Sequence, residues 1–440
     1  MYIYGKRRGR MQASVNEREL VLDMLLQITR DGEYSHIVIK NVLDKYQYLD
    51  KRERAFITRV VNGTLERMIE IDYIINLFSK VKVNKMKPLI RTILRSSVYQ
   101  MKYMDSVPDS AICNEAVKLA GKRGFVNLKG FVNGVLRNIS RNLDKINYPD
   151  EKDKVSYLSV KYSLPEWLVK QWLNVYDEET VKTIGSAFLE EKPLTVRFNE
   201  HKIKKEDLVG ILKKEGVTVG EVPEIPCALY LSGYDHLSVL PSFCEGLYQV
   251  QDLSSMQVAL WSEVKEGDQV LDVCAAPGGK SIHIAELLNG TGHVEYKVDL
   301  LRDNIERSGL TNIEAVCQDA TVYDPDKKKS ADIVIADLPC SGLGVLGKKP
   351  DLRYKMNEKT EADLVELQRK ILSVVKDYVK PDGKLLYSTC TIHREENEGN
   401  VEWFLKEYPE FELVKDKQMI PGKDAGDGFY IAIIKRVNHE

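Results

Sequence analysis

No two cysteines of this 440-residue chain form a C-x-x-C pair, and their number, seven, is odd. That argues against a disulfide framework or a structural zinc site, so no metal is expected and reduced, cytoplasmic thiols are. No apolar run is long enough to cross a bilayer and no signal peptide is visible, so no membrane partner is expected. The G-x-G-x-x-G fingerprint of a dinucleotide fold is absent as well. What remains is a globular composition, 43% hydrophobic and 30% charged, sufficient for large cores and two or three domains.

The net charge of -2 hides an asymmetry. Residues 1–147 hold 27 Lys and Arg against 15 Asp and Glu, and the remainder 37 against 51. A basic first third implies a polyanion partner; a solvated helical surface is the competing reading. Lys6-Arg-Arg-Gly-Arg10 is a short basic arm able to follow a phosphate backbone. From Asn16 to about Arg141 apolar residues recur at helical spacing, as in Val21, Leu22, Leu25, Leu26 and Ile28, with breaks at Gly or Pro. This predicts an all-α bundle. Two of its stretches, Arg52 to Arg67 and Leu128 to Arg137, resemble the NusB-like RNA-binding domain, which implies an RNA partner.

Residues 149–153 read as a linker, followed by helical segments that include Leu164 to Trp172, with Pro165 suited to a first turn. Strands at 194–199, near 217 and at 228–231, with a helix from Lys204 to Lys214, predict a small α/β unit, either an RNA platform or a packing module. From about Gly246 strands and helices alternate, with strands at Val270–Val273, His293–Val298, Ile313–Cys317, Asp332–Ala336 and Leu385–Ser388 and a helix from Glu361 to Val379. This predicts a doubly wound, Rossmann-like parallel sheet with its ligand crevice at the carboxyl ends of the strands. Phe411–Val414 and Phe429–Ile434 read as a β-hairpin added at its edge. The expected boundaries are 1–11 for the arm, 12–147 for the helical domain, 148–244 for the linker and small unit, and 245–440 for the doubly wound domain.

Gln269 to Ser281 runs from strand through glycine turn into an amphipathic helix, the arrangement that brings N–H groups to a nucleotide-like ligand. Three ligands compete. Cys274-Ala-Ala-Pro-Gly-Gly-Lys-Ser281 misses the P-loop pattern by its first Gly, Asp272 would stand beside a triphosphate, and Ala275-Ala-Pro277 is stiff for a phosphate cradle. A dinucleotide site lacks its glycines. S-adenosylmethionine has no phosphates but carries a sulfonium and an ammonium, for which Asp272 and Asp337 at strand ends are suitable anions. Asp319, past the third strand, is placed to accept the adenine amino group.

Asp337-Leu-Pro-Cys340-Ser-Gly-Leu-Gly and Tyr387-Ser-Thr-Cys390-Thr-Ile follow the fourth and fifth strands. Two cysteines on polar turns at one sheet edge are poorly explained by packing; Cys113, Cys227, Cys244 and Cys317 lack that setting and are read as structural. Carbon 5 of a pyrimidine is too weak a nucleophile to take a methyl group directly. A thiolate adding to carbon 6 makes it an enamine, and a second cysteine can assist proton removal and release.

These motifs, with Tyr248 to Asp252 and Val196 to Asn199, resemble the RNA cytosine-C5 methyltransferase family over nearly the whole chain. With the NusB-like front, the resemblance is to its members that act on small-subunit (16S) rRNA. It implies Cys390 as nucleophile and Cys340 as the residue assisting release. It places Cys274, Ala275, Ala276, Pro277, Gly278, Gly279, Lys280, Asp319 and Asp337 at the S-adenosylmethionine cofactor, with Asp337 alternatively orienting the cytosine amino group. Lys348 to Arg353 would touch RNA phosphate or be a solvated loop. One departure stands out: between Gly292 and Asn304 the chain is several residues shorter than the family pattern and lacks its ribose-binding acid. Glu295 and Asp299 are the candidate substitutes, and weakened cofactor binding is the expectation. The alternative to an enzyme is a non-catalytic RNA-binding or ribosome-assembly factor with an impaired cofactor site.

Overall fold

The structure, a computed structural model, describes residues 16–275, 277–288, 293–296 and 302–437. It divides into two compact units, Met1–Gln171 with Lys349–Asp351, and Trp172–Lys348 with Leu352–Glu440. Among the described residues no helix is long and apolar enough to cross a membrane. The Lys6–Arg10 arm lies outside the described residues.

The first unit is helical, as its periodicity predicts: α1 (Glu17–Thr29), α2 (Ser35–Lys45), α3 (Lys51–Glu66), α4 (Met68–Phe78), α5 (Pro88–Tyr103), α6 (Asp109–Lys122), α7 (Lys129–Asn142) and α8 (Lys154–Tyr162), leading into α9 (Glu166–Val175). The starts are chemically marked. Asn16 accepts the Glu19 N–H at 3.1 Å, Asp50 and Glu53 cap α3 reciprocally, and Pro88 opens α5 where no N–H is needed. Leu22, Ile57, Val61, Ile71, Leu94, Val98 and Leu136 are fully buried in one core, each contributing roughly 1.5–3 kcal/mol by leaving water. Arg54, in the first of the two NusB-like stretches, is buried too and donates to the carbonyls of Gln47 and Leu49, so it fastens the α2–α3 loop.

The second unit continues with α10 (Glu178–Ala187), β1 (Leu194–Phe198), α11 (Lys205–Lys214), β2 (Thr218–Glu221), β3 (Ala228–Ser232), α12 (Pro241–Cys244), β4 (Tyr248–Val250) and α13 (Leu253–Ser262). The small sheet is antiparallel in the order β2-β3-β1-β4. Its fourth strand comes from Tyr248–Val250, beyond the 244/245 boundary suggested by the pattern. α13 then contributes Leu253 and Met256 to the small-sheet core, and Val258 and Ala259 to the core of the larger sheet. Arg197 on β1 is buried and donates to Gln251 Oε1 at 2.9 Å and to Glu286, on the helix that follows the glycine turn.

The larger sheet is formed by β5 (Gln269–Asp272), β6 (His293–Tyr296), β7 (Ile313–Ala315), β8 (Ala331–Asp337), β9 (Val379–Thr389), β10 (Phe411–Met419) and β11 (Phe429–Arg436). Between them lie α14 (Gly279–Leu287), α15 (Arg302–Ser308), α16 (Leu352–Lys355), α17 (Glu358–Val375) and α18 (Glu398–Glu407). Its order is β10-β11-β9-β8-β5-β6-β7. Five strands are parallel, and in the expected hairpin at the edge β11 runs antiparallel to them and β10 antiparallel to β11, so the sheet is mixed rather than purely parallel. β9 begins six residues earlier than its apolar run. Lys380 to Gly383 are absorbed as an irregularity, with Asp382 at φ +61°. The connection from β5 goes to β6 on one side and β8 lies on the other, which makes the β5/β8 boundary the topological switch point.

Candidate active site

The cysteine turns meet beside that switch point, past the ends of β8 and β9. Leu338 N–H donates to Ser388 O at 3.1 Å, and Gly344 N–H to Cys390 O at 3.1 Å. Gly344 O in turn accepts from Gly428 N–H at 2.9 Å. A Cβ on Gly344 would lie 2.0 Å from Gly428 O and 2.9 Å from Cys390 O, so only glycine lets these three backbones touch. This lacing brings Cys340 Sγ to 3.1 Å from Cys390 Sγ, while the Cys390 N–H points at Cys340 Sγ at 3.2 Å. The hydrogen bond with Cys390, then burial, then the charges of Cys390 and Glu396 hold the Cys340 thiol well above its ordinary pKa. Cys340 therefore keeps its proton.

Beneath the turns lies a buried polar layer that local sequence patterns do not announce. Glu396 accepts from Ser341 N–H and Gln368 Nε2, each at 2.9 Å, and from Ser341 Oγ. His393 Nδ1 is 3.3 Å from Glu396, and its Nε2 is 3.9 Å from Glu361. Burial disfavours the imidazolium of His393, but the hydrogen bond to Glu396 and the charge of Glu361 outweigh it, and its pKa is raised. Asn400 Nδ2 donates to Gln368 Oε1 at 2.7 Å, and Asn397 Nδ2 to Thr391 O at 3.1 Å. Glu361, His393 and Glu396 bring ligand-type atoms within 4.8 Å of one another. The Glu396 carboxylate is already engaged by three donors besides His393, so the cluster functions as a hydrogen-bond hub.

The cofactor-type turn is built differently. Asp272 ends β5 fully buried; its Oδ1 accepts the Cys274 N–H at 3.2 Å and its Oδ2 the Ser281 hydroxyl at 2.6 Å. Burial, with the nearby charge of Asp337 adding, lifts this carboxyl to about 6. Gly278 caps α14 at φ +99°, a left-handed conformation that suits glycine. Lys280 Nζ lies 2.7 Å from Asp337 Oδ2 and 5.2 Å from the Phe429 ring, and Ser388 Oγ donates to Asp337 Oδ1 at 2.8 Å. Burial works against the Lys280 ammonium. Asp337, with Cys390 and Asp272 adding, more than offsets it, so the lysine stays charged.

The structure thus gathers Cys340, Cys390, Lys280 and Asp337, with Asp272, Cys274, Pro277, Gly278 and Gly279 in the adjoining turn. Pro277 O accepts from Asn304 Nδ2 at 3.1 Å. Asp319 is exposed beyond β7, and its Oδ1 accepts from the N–H and hydroxyl of Thr321, each at 2.8 Å, closing its own turn. Ala276 and Asp299 lie outside the described residues. Glu295 stands in β6 opposite Leu271, and its side chain lies outside the described set. Cys113 and Cys227 are buried, whereas Cys244 and Cys317 are exposed, so for the latter two a core-packing role fails. Lys348 is also not a free phosphate ligand: it sits 2.5 Å from Asp252 and 2.8 Å from Asp427. Arg353, in the same stretch, is buried. Burial raises the Asp252 carboxyl, but Lys348 overrides this and brings it to about 2, while burial and Asp252 push Asp427 to about 6.

Sequence reasoning missed Glu396, His393, Gln368 and Ser341. The only signal was the density of polar residues directly after each cysteine, in Ser341 and in Thr391 to Asn397.

A helical front, a small antiparallel sheet and a switch point with paired thiols define the class, a multidomain methyltransferase. Family models match accordingly: the NusB family over residues 15–141, the ferredoxin-like domain of RsmF/B-type methyltransferases over 164–236, and 16S rRNA methyltransferase RsmB/F over 259–435. The chain belongs to the ribosomal RNA small subunit methyltransferase B family. It is 36% identical to the probable member from Bacillus subtilis, over 95% of this chain and 98% of that one. It is 31% identical to the probable member from Synechocystis, over 96% and 100%. The crystal structure of PH0851 is similar with a TM-score of 0.80 at 25% identity, covering 96% of this chain and 100% of that one. NSun6 from Pyrococcus horikoshii, solved with SFG, an S-adenosylmethionine analogue, has a TM-score of 0.58 at 25% identity over 62% and 99%.

Proposed function

We propose that this protein transfers a methyl group from S-adenosylmethionine to carbon 5 of a cytosine in small-subunit rRNA, through a covalent adduct with Cys390. Methylation of rRNA with S-adenosylmethionine follows from the family. The observation that carries the cytosine-C5 reading is the pair of sulfurs 3.1 Å apart beside the Lys280–Asp337 pair at the switch point.

The donor set fits the cofactor. A lysine ammonium and an aspartate at a strand end complement the carboxylate and the ammonium of its amino-acid portion, and the turn from Cys274 to Lys280 would hold it, with Asp319 toward the adenine. When bound it supplies an electrophilic methyl group. Cys390 adds to carbon 6 of the cytosine, which makes carbon 5 nucleophilic enough to take that methyl. Cys340, having given its own proton to the ring as Cys390 adds, then takes the carbon-5 proton, and the double bond is restored as the Cys390 sulfur leaves as a thiolate. Cys340, kept protonated by its surroundings, suits the assisting role better than the attacking one. Asp337, anchored by Lys280 and Ser388, is within the same cluster and can orient the cytosine amino group. The basic helical domain, 12–147, and the small unit, whose sheet extends to Val250, would bind the RNA, and the larger-sheet domain would receive an unstacked base.

The test is direct. Cys340→Ala protein mixed with rRNA and cofactor should accumulate a covalent protein–RNA adduct, and Cys390→Ala should form none. Absence of adduct from both, with RNA still bound, would favour a non-catalytic assembly factor.

A further inference from the structure

A single buried carboxylate joins the two cysteine turns from below. Glu396 is wholly buried, and it holds Ser341, the residue after Cys340, by both backbone N–H and hydroxyl. The Ser341 hydroxyl also meets Thr391 Oγ1 at 2.8 Å, and Thr391 is the residue after Cys390. Gln368 on α17 completes the grip: its Nε2 donates to Glu396 at 2.9 Å and to Pro339 O, just before Cys340, at 2.8 Å. Ser341 is therefore tied to Glu396 directly, and Pro339 and Thr391 are tied to it through Gln368 and Ser341.

A buried charge is an expensive way to fill space, since an apolar side chain of similar volume packs as well without desolvation. What a carboxylate with this many donors provides is direction: each bond fixes an angle as well as a distance. The groups it directs are the ones flanking the two sulfurs.

We propose that Glu396 is a positioning residue, which through Ser341 and Thr391 sets the separation and aim of the Cys340 and Cys390 sulfurs. The role rests on the proposed reading of those cysteines as the reacting pair. Misplacing reacting groups by about 1 Å costs on the order of 100-fold in rate.

Glu396→Gln keeps the shape but sets an amide N–H against a donor. The expected result is a kcat on the order of 100-fold lower, with KM for rRNA and Kd for S-adenosylmethionine essentially unchanged. A second readout uses dibromobimane, which bridges neighbouring thiols; the Cys340–Cys390 bridged peptide, measured by mass spectrometry, should form markedly more slowly. Thr391→Val should slow bridging as well, and Thr391→Ser, which keeps the hydroxyl, should recover what Thr391→Val loses. Bridging does not involve cytosine, so it decides the positioning role even if the cysteines prove to have another reaction.

Wild-type kcat and bridging in Glu396→Gln would overturn the proposal. So would losses of kcat and KM that merely track the fall in Tm, as read against a core substitution such as Val375→Ala. If Glu396→Gln does not fold, Ser341→Ala and Thr391→Val carry the same test, and unchanged bridging in both would overturn it.

Discussion

The glycine turn after β5 and the cysteine turns after β8 and β9 share one sheet edge but are held by different physics. The first leans on Asp272, a buried acid with two donors whose charge its surroundings disfavour. The second pair is laced backbone to backbone and tied to a carboxylate with several donors. The difference matches what each would do in the proposed reaction. A turn that admits and releases a co-substrate every cycle needs a shape; sulfurs that make and break a carbon bond need a fixed aim.

The sharpest way to break that comparison is Gly344→Ala. Its Cβ would collide with Gly428 O, so unfolding should become easier by about 3 kcal/mol or more and methyl transfer should collapse. Retained activity, measured with chemical denaturation, would show the lacing to be adjustable.

Asp272→Asn probes the other turn through pH. A carboxyl raised from 3.8 to about 6 in the folded protein binds more protons folded than unfolded, so it lowers stability as pH rises through that window. The penalty is absent below the unfolded value and fully present above the folded one. The difference in unfolding free energy between variant and wild type should therefore shift by about 3 kcal/mol in favour of the variant between pH ~4 and above ~6. A flat difference would mean that Ser281 and Cys274 satisfy the ionised acid.

Asp337→Asn tests the link between the turns. The Lys280–Asp337 pair is only partly exposed, so losing one partner should cost about 1–2 kcal/mol after allowance for solvent screening. The lysine would also be easier to deprotonate, so residual activity should fall as pH rises. The smallest effect is expected from Gly279→Ala. Its Cβ would meet Gln251 at an ordinary 3.6 Å, so Tm should hardly move, and a fall like that of Gly344→Ala would erase the contrast.

Strands and thiol turns were legible because each is local: a β-prone run, then Gly, Pro or Cys within a few residues. What escaped is non-local. β4 is three residues long, and its partner β1 lies far back in the chain. Glu396 has its donors on Ser341 and Gln368, from a different strand end and a different helix. Lys348 looked like a free cation because Asp252 and Asp427 are remote in sequence. The early start of β9 was hidden by Pro381-Asp382-Gly383, a signature of a turn that the sheet accommodates as a bulge.

The strand β4 has a consequence for taking the protein apart. It closes the small sheet two residues before α13 begins, and α13 has side chains in both cores while Arg197 reaches across to α14. A recombinant fragment begun at 245 or 259 would strip an edge strand from one sheet or a shared helix from both. The ferredoxin-like and methyltransferase parts are thus a single cassette, to be cut or swapped together, and the cut belongs upstream of α10, since Lys423 Nζ donates to Thr180 Oγ1 at 2.6 Å.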